Sequence, residues 1–473
     1  MIKKKHDFKE WILRNRLLIT IILFVIMFFA INGLRLSQSA QFPSQESSIF
    51  LNDFENYKSF NYSGTNIFYE IIIELGFIFG QEMATLFTFL IFGIINIILF
   101  DKINKIILKN NKTRFIANLL LLISNIFIVS FCTFSYLLLI MFFILWTIIY
   151  CFKKPKQIFI PIILSMLINA TVFTFNLILA IIFIIILNII GKNQQTKVKK
   201  STFIKLNVML PLIVFAIAYY FNLVLLNDVF LLKIPYSWWI IQSTTTYGIP
   251  LIYIALGLFA LFTKIQNTKL TISILVLLVL SIFSIYLAFI SIFIFIFLAA
   301  IGINYIISRK WFVKELKTPV IFLLTLLFLF NSLSFSETII TSGPNNKMID
   351  DVRLLDNVTG NVFCDNKDCE IIELYSRVKV FYSNSEYENK AEHLNKLNIT
   401  EKIIFNSNFK KMTDFFEEND ITTVFISAST LNQRWTRIDR GLLFLLTQSN
   451  SFVKENQTQE SLIFYYIKKE SEE

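Results

Sequence analysis

Histidine is nearly missing from this chain: His6 and His393 are the only two in 473 residues. Neither falls in a long apolar run, so haem ligation, His-ligated zinc hydrolysis and imidazole proton relays have no residue to work with in the apolar part. Acids are almost as scarce there. Between residues 83 and 333 only Asp101, Asp228 and Glu315 occur, and Asp101 and Glu315 sit beside lysines. Ion-coupled transport needs ionisable groups near the bilayer midplane, so a transporter is disfavoured. No Gly-x-x-x-x-Gly-Lys-Ser/Thr run exists, which removes the common ATPase signature. Glycine and proline number only 12 and 8, too few for a loop-rich or low-complexity chain.

What is abundant is apolar side chain. Hydrophobic residues make up 55% of the chain, Phe alone occurs 52 times, and charged residues are held to 16%, against about a quarter in soluble domains. The net charge of +11 does not point to nucleic acid, because the basic residues lie between apolar runs and not on one folded face.

A bilayer core about 30 Å thick takes about 20 apolar residues of helix. That ruler predicts about eleven spans, at 17–34, 83–100, 115–131, 133–150, 158–173, 174–190, 206–226, 247–263, 270–286, 288–307 and 318–334. Lys and Arg resist translocation and collect in cytoplasmic loops. Alternate loops hold 25 and 3 of them, the three being Arg35, Lys58 and Lys233. The expectation is an α-helical polytopic protein of the cell membrane, with its N-terminus cytoplasmic and the loop 35–82 outside. No small-residue cleavage site follows the run 17–34, so it is expected to stay as an anchor.

From about residue 336 the composition turns acidic and the long apolar runs stop. The division expected is a transmembrane domain at 1–335 and a small extracytoplasmic α/β domain at 336–473. Strand-like runs at Asn361–Phe363, Val378–Tyr382, Thr423–Ile426 and Leu462–Ile467 alternate with helix-period stretches at 387–397, 410–419 and 441–448. Cys364 and Cys369 bracket Asp-Asn-Lys-Asp. On an oxidising side they suggest a disulfide-closed turn, with free thiols or a metal site as alternatives. Cys132 and Cys151 read as packing residues. Asn-x-Ser/Thr triplets at Asn61, Asn357, Asn398 and Asn456 are glycosylation acceptors, or chance in an Asn-rich chain.

Candidate chemistry gathers in the first outer loop. Glu46, in a proline-containing stretch close behind the first helix, is the leading candidate for a general base, with Asp53 next and Glu55 after it. Glu70 and Glu74, one helical turn apart, read as the wet face of an interfacial helix. Arg35, Lys58 and Lys233 are the outer cations available to a lipid phosphate, although Arg35 after a helix also suits snorkelling to headgroups. Trp238 and Trp239 belong to an interface belt or stack on a sugar or lipid.

These features resemble the GT-C glycosyltransferases that use polyprenyl-phosphate sugars, the group including protein mannosyltransferase-like and aminoarabinose-transferase-like enzymes. Phe42-Pro43-Ser44-Gln45-Glu46-Ser47-Ser48 is similar to the family's first-loop stretch, with Glu46 in the acidic position. The segment from Asn66-Ile67-Phe68-Tyr69-Glu70 to Phe79-Gly80, the hairpin Ser124 to Tyr150, and Asp439 to Leu446 resemble later family elements. The resemblance implies sugar transfer from a polyprenyl-phosphate donor, across the lipid bilayer's outer face, to a glycan, lipid or protein acceptor. Glu46 is followed by Ser-Ser, and the turn at 130–135 carries no acid. A site built from several carboxylates around a metal is therefore not expected: the transferase is expected to need no cofactor, with a divalent ion left open. The competing expectation is a catalytically inactive scaffold whose outer domain binds a partner.

Overall fold

The computed structural model describes residues 10–37, 67–132, 137–153, 157, 159–166, 250–265, 268–281, 285–311, 313–341, 344, 346–376, 378–381, 396, 399–400, 402–433, 441–458 and 461–467. The chain divides into two compact units, with the break in the last long apolar helix between Thr338 and Ile339; a short segment from Asn32 also clusters with the second unit.

The first unit is helical. Its elements are α1 (Arg16–Ser37), α2 (Ile67–Phe79), α3 (Gln81–Ile107), α4 (Asn111–Leu122), α5 (Asn125–Cys132), α6 (Leu137–Lys153), α7 (Phe159–Met166), α8 (Leu251–Ala260), α9 (Thr268–Ser281), α10 (Ile285–Ser308) and α11 (Lys317–Thr341). Among the described residues, four helices are long and apolar enough to cross a membrane, or five when the bent pair α4–α5 counts as one span. The expected spans at 174–190 and 206–226 lie outside the described residues.

Lipid tails give apolar helices little reason to associate, so packing and internal hydrogen bonds must hold the bundle. Phe24 and Phe28 of α1 interlock with Phe127 and Phe131 of α5, the Phe24 and Phe131 rings meeting edge-on at 5.1 Å. Phe100 of α3 stacks on Phe297 of α10 at the same distance. Where α8 meets α10, a Cβ on Gly302 would lie 2.6 Å from the Leu256 carbonyl oxygen, so only glycine allows that approach. The Asn96 amide of α3 donates to the Leu138 carbonyl of α6 at 3.0 Å.

The run 115–131 reads as one helix in sequence, yet it breaks by 52° at Ile123–Ser124 without glycine or proline. Polar side chains hold the break. Ser124 turns both its amide and its hydroxyl back to Leu121, the Tyr253 hydroxyl donates to Leu120, and Asn331 of α11 donates to the Asn125 side chain. Carbonyls freed by the bend thus keep partners, as an apolar medium requires.

The second unit is an α/β sandwich. Its helices are α12 (Asn346–Arg353), α13 (Asn366–Tyr375), α14 (Phe409–Glu418), α15 (Ala428–Gln433) and α16 (Leu442–Gln448), and its strands β1 (Asn361–Phe363), β2 (Ile421–Ser427), β3 (Phe452–Gln457) and β4 (Ser461–Tyr466). The sheet order is β1-β2-β4-β3, with β1 parallel to β2 and the other pairs antiparallel. One face buries Met348, Val352, Leu355, Ile371 and Ile372 of α12, α13 and their connection; the other buries Met412, Phe416, Leu442 and Leu446 of α14 and α16. Cys364 and Cys369 form a disulfide between the end of β1 and the first turn of α13. The metal and free-thiol alternatives for this pair are thereby set aside.

Candidate functional site

α1 carries an arginine near each end. Arg16 and Arg35 lie nineteen residues apart on one helix, about 28 Å at 1.5 Å per residue, close to the thickness of a bilayer core. Arg16 is held firmly. Its Nε donates to Asp101 Oδ1 at 3.3 Å, and its Nη1 reaches Asn111 Oδ1 and the Leu13 carbonyl. Asp101 is 1% exposed, and three other groups join it: Lys105 Nζ at 2.8 Å, the Asn118 amide at 3.1 Å, and Asn104 behind Asn118 at 2.6 Å. Arg114 closes the group by donating to Asn111 Oδ1 and to the Leu108 carbonyl. One carboxylate thus ties the ends of α1, α3 and α4 together. The sequence placed Asp101 beside lysines; its partner 85 positions away could not be read from spacing.

α2 presents Glu70 and Glu74 to solvent while burying Ile72 completely. Its last turn exposes Phe77, Ile78 and Phe79, and Phe77 is 82% exposed. Glu70, Glu74 and Phe77 share one face at i, i+4 and i+7, so the acids are followed along the helix by an uncovered apolar tip.

In the second unit a carboxylate is buried at the carboxyl end of β2. Asp368 of α13 is fully enclosed and accepts three hydrogen bonds, from Ser427 N at 3.0 Å, Ser427 Oγ at 2.7 Å and Thr430 Oγ1 at 2.7 Å. Burial, reinforced by the charge of Asp365, raises its pKa to about 6 against the pull of those three bonds. Asp351 of α12 likewise receives the hydroxyls of Thr458 and Ser461 and pins the β3–β4 hairpin. Tyr466 donates to Glu417 at 3.0 Å; partial burial and that acid push its phenol up to about 12. A cleft of about 760 Å³ opens beside it, between Asn357, Thr359, Thr422 and the end of β4. Among the described residues no group of three His, Cys, Asp or Glu side chains is placed to hold a metal ion.

No protein-family model matches the sequence, and no curated protein matches it. Its fold does have solved counterparts. The archaeal oligosaccharyltransferase AglB from Archaeoglobus fulgidus, in complex with an inhibitory peptide and a dolichol-phosphate, superposes with a TM-score of 0.59 at 10% identity, covering 89% of this chain and 70% of its own. ArnT from Cupriavidus metallidurans, bound to undecaprenyl phosphate, superposes with a TM-score of 0.51 at 8% identity, covering 94% of this chain and 97% of its own. The chain has the GT-C fold.

Identities this low carry the GT-C architecture and leave the chemistry to be argued from residues. In this chain Arg35 lies in the last turn of α1. Glu46, Asp53, Lys58, Lys233, Trp238 and Trp239 lie outside the described residues. Asp368 and the cleft of the second unit were missed by sequence reasoning. The one signal for the former was Ser427-x-x-Thr430, a weak helix-start pattern.

Proposed function

We propose that the protein is a membrane glycosyltransferase that moves a sugar from a polyprenyl-phosphate donor to a glycan, lipid or protein acceptor on the outer face. The observation that carries this reading is the fold, shared with an oligosaccharyltransferase holding a dolichol-phosphate and with ArnT holding undecaprenyl phosphate. In the reaction, Glu46, assisted by Asp53, takes the proton from an acceptor hydroxyl or amine as that group attacks the anomeric carbon. The bond from that carbon to the phosphate oxygen breaks, and polyprenyl phosphate departs with the electron pair. Arg35, Lys58 and Lys233 neutralise the charge that grows on the phosphate, while Trp238 and Trp239 stack on the sugar or its lipid.

Two observations support the placement. Arg35 follows Arg16 by about one bilayer thickness along α1, a spacing that supports a role toward a lipid phosphate at the outer surface. The Cys364–Cys369 disulfide suits an oxidising compartment, as an extracytoplasmic second domain would require. About eleven spans, an N-terminus inside and a domain boundary near 335 belong to the same reading. So does transfer without a resident metal.

Purified protein incubated with radiolabelled polyprenyl-phosphate sugars should release labelled product. Glu46→Gln removes the base with little change of shape, and transfer should fall by at least a hundredfold, within the usual range for a general base. Full activity in that variant would refute the assignment of Glu46. An absence of transfer from every lipid-linked sugar tried, by protein that still folds, would favour the scaffold.

A further inference from the structure

The cleft of the second unit belongs to no step above. It is lined by Leu354, Asn357, Val358, Thr359, Thr422, Ile463, Tyr465 and Tyr466 and encloses about 760 Å³. That size lies within the usual range for small-ligand pockets. We infer that this cleft is a binding subsite for a neutral oligosaccharide, a ligand class that rests on the transferase reading above.

The lining chemistry argues for sugar. Among the described residues that line it, none carries an ionised side chain. An amide, two threonine hydroxyls and the Tyr465 phenol alternate with aliphatic surface from Leu354, Val358 and Ile463. Sugars present the same mixture: rings of hydroxyls that donate and accept, and C–H faces that lie on aromatic and aliphatic groups.

The wall is also built in advance. Thr422 is the residue left out of register where β1 pairs with β2, between the pairs Asn361↔Ile421 and Val362↔Thr423. Such bulges re-aim a side chain at a site. Its hydroxyl donates to the Thr359 carbonyl. Gly360 follows with φ +95°, and a Cβ there would lie 2.6 Å from Thr422 Cγ2 and 2.9 Å from the Asp420 oxygen. Asn361 then bonds Asp420 through its backbone amide and Asn419 through its side chain. A wall fixed in this way pays little ordering cost when a ligand arrives.

A peptide is the less suitable occupant. Extended peptides are captured by free strand edges, and β1, the strand at this edge of the sheet, already exchanges hydrogen bonds with Lys379 and Phe381 through Val362.

The test is isothermal titration of the full-length protein in nanodiscs, without donor, with mannotriose, cellotriose, arabinotriose and, as a charged control, trigalacturonic acid. At least one neutral trisaccharide should bind with a Kd in the millimolar range or tighter, and the acidic one at least tenfold more weakly. Thr359 is exposed, so Thr359→Trp can fill the cleft without disturbing the sheet. It should weaken binding at least tenfold, and Thr359→Ser should restore it. Failure of all three neutral sugars, equal binding by the tryptophan variant, or preference for an unstructured peptide would overturn the inference. Binding is read without a donor, so loss of sugar transfer with binding intact refutes only the proposed reaction, and the converse refutes only the subsite.

Discussion

Asp368 gives the sharpest prediction about the second unit. Its carboxylate is completely buried and titrates at about 6 in place of 3.8, a displacement caused by burial. Below about pH 3.8 folded and unfolded chains both hold the proton, and the group costs nothing. Between 3.8 and about 6 the unfolded chain releases it while the folded one keeps it, so stability falls as pH rises. Above the folded value the penalty is complete, at about 3 kcal/mol for a displacement of this size.

Asp368→Asn removes that penalty and preserves most of the contacts. The amide oxygen, placed at Oδ2, still accepts from Ser427 N and Thr430 Oγ1, and the amide nitrogen donates to Ser427 Oγ. That hydroxyl then turns to Thr430 Oγ1, 3.0 Å away. One amide hydrogen is left over, which offsets part of the gain by about 1 kcal/mol or more. The variant should therefore be up to about 2 kcal/mol more stable than the parent at pH 7.5. Relative to the parent, its stability should change by about 2 kcal/mol between pH 4.5 and 7.5. Asp368→Ala leaves the Ser427 and Thr430 donors unanswered and should lose about 3 kcal/mol at pH 7.5. Hydrogen exchange over residues 421–433 in the full-length protein, corrected for the intrinsic pH dependence of exchange, reports each value. A difference between Asn variant and parent that is equal at both pH values would refute the buried-charge argument. Alanine behaving as well as asparagine would refute the hydrogen-bond argument.

Other outcomes follow from the same kind of reasoning. Reduction of Cys364–Cys369, or the double Cys364→Ala/Cys369→Ala change, should lower the stability of the second unit by about 2 kcal/mol; alkylation of these thiols before reduction would show that the disulfide is absent. Asp101→Ala strips Arg16, Lys105 and Asn118 of their shared acceptor and should cost at least about 3 kcal/mol. Lys105 is half exposed, so Lys105→Ala should cost under about 1 kcal/mol; thermal unfolding in detergent orders the two, and equal losses would dismiss the network. Cysteines placed at Glu46 and at Asp350 should react with a membrane-impermeant maleimide from the same, outer side. Labelling from opposite sides would separate the first loop from the second unit and end the proposed reaction.

The membrane frame was legible wherever an apolar run of about twenty residues ended in cations. The expected spans at 17–34, 288–307 and 318–334 are helices at Arg16–Ser37, Ile285–Ser308 and Lys317–Thr341. At 83–100 the expectation stops at the first charge, but α3 continues to Ile107. Asp101 is neutralised by Arg16 from another helix, and periodicity within one segment contains no trace of that. The break in 115–131 was hidden for the same reason: Tyr253 and Asn331, far along the chain, take up what the bend releases.

In the second unit β1, β2 and β4 lie on three of the four expected strand runs, because those runs are β-branched or aromatic and end at polar turns. Val378–Tyr382 yields a single bridge at Val380 among its described residues. β3 (Phe452–Gln457) was passed over: four polar residues in Phe-Val-Lys-Glu-Asn-Gln suppress its apolar alternation, and its pairing with β4 supplies what the pattern lacks. The first-loop residues proposed for the site lie outside the described residues, and the cleft of the second unit was not legible at all. A cleft such as that at Thr422 is made by register and bulge, which depend on a strand some sixty residues away.

The poverty of charge in the spans and the proposed chemistry are two sides of one arrangement. A transporter must stabilise its cargo inside the bilayer and needs ionisable groups there. A transferase acting on a lipid-linked sugar does not, because the donor's reactive bond lies at the headgroup level and its own phosphate is the leaving group. What such a protein asks of its membrane core is rigid positioning of the groups at the outer surface. Interlocked phenylalanines between α1 and α5, a glycine contact between α8 and α10, and one buried carboxylate fastening Arg16 hold the described helices of the first unit to one another, as the proposed reaction would ask.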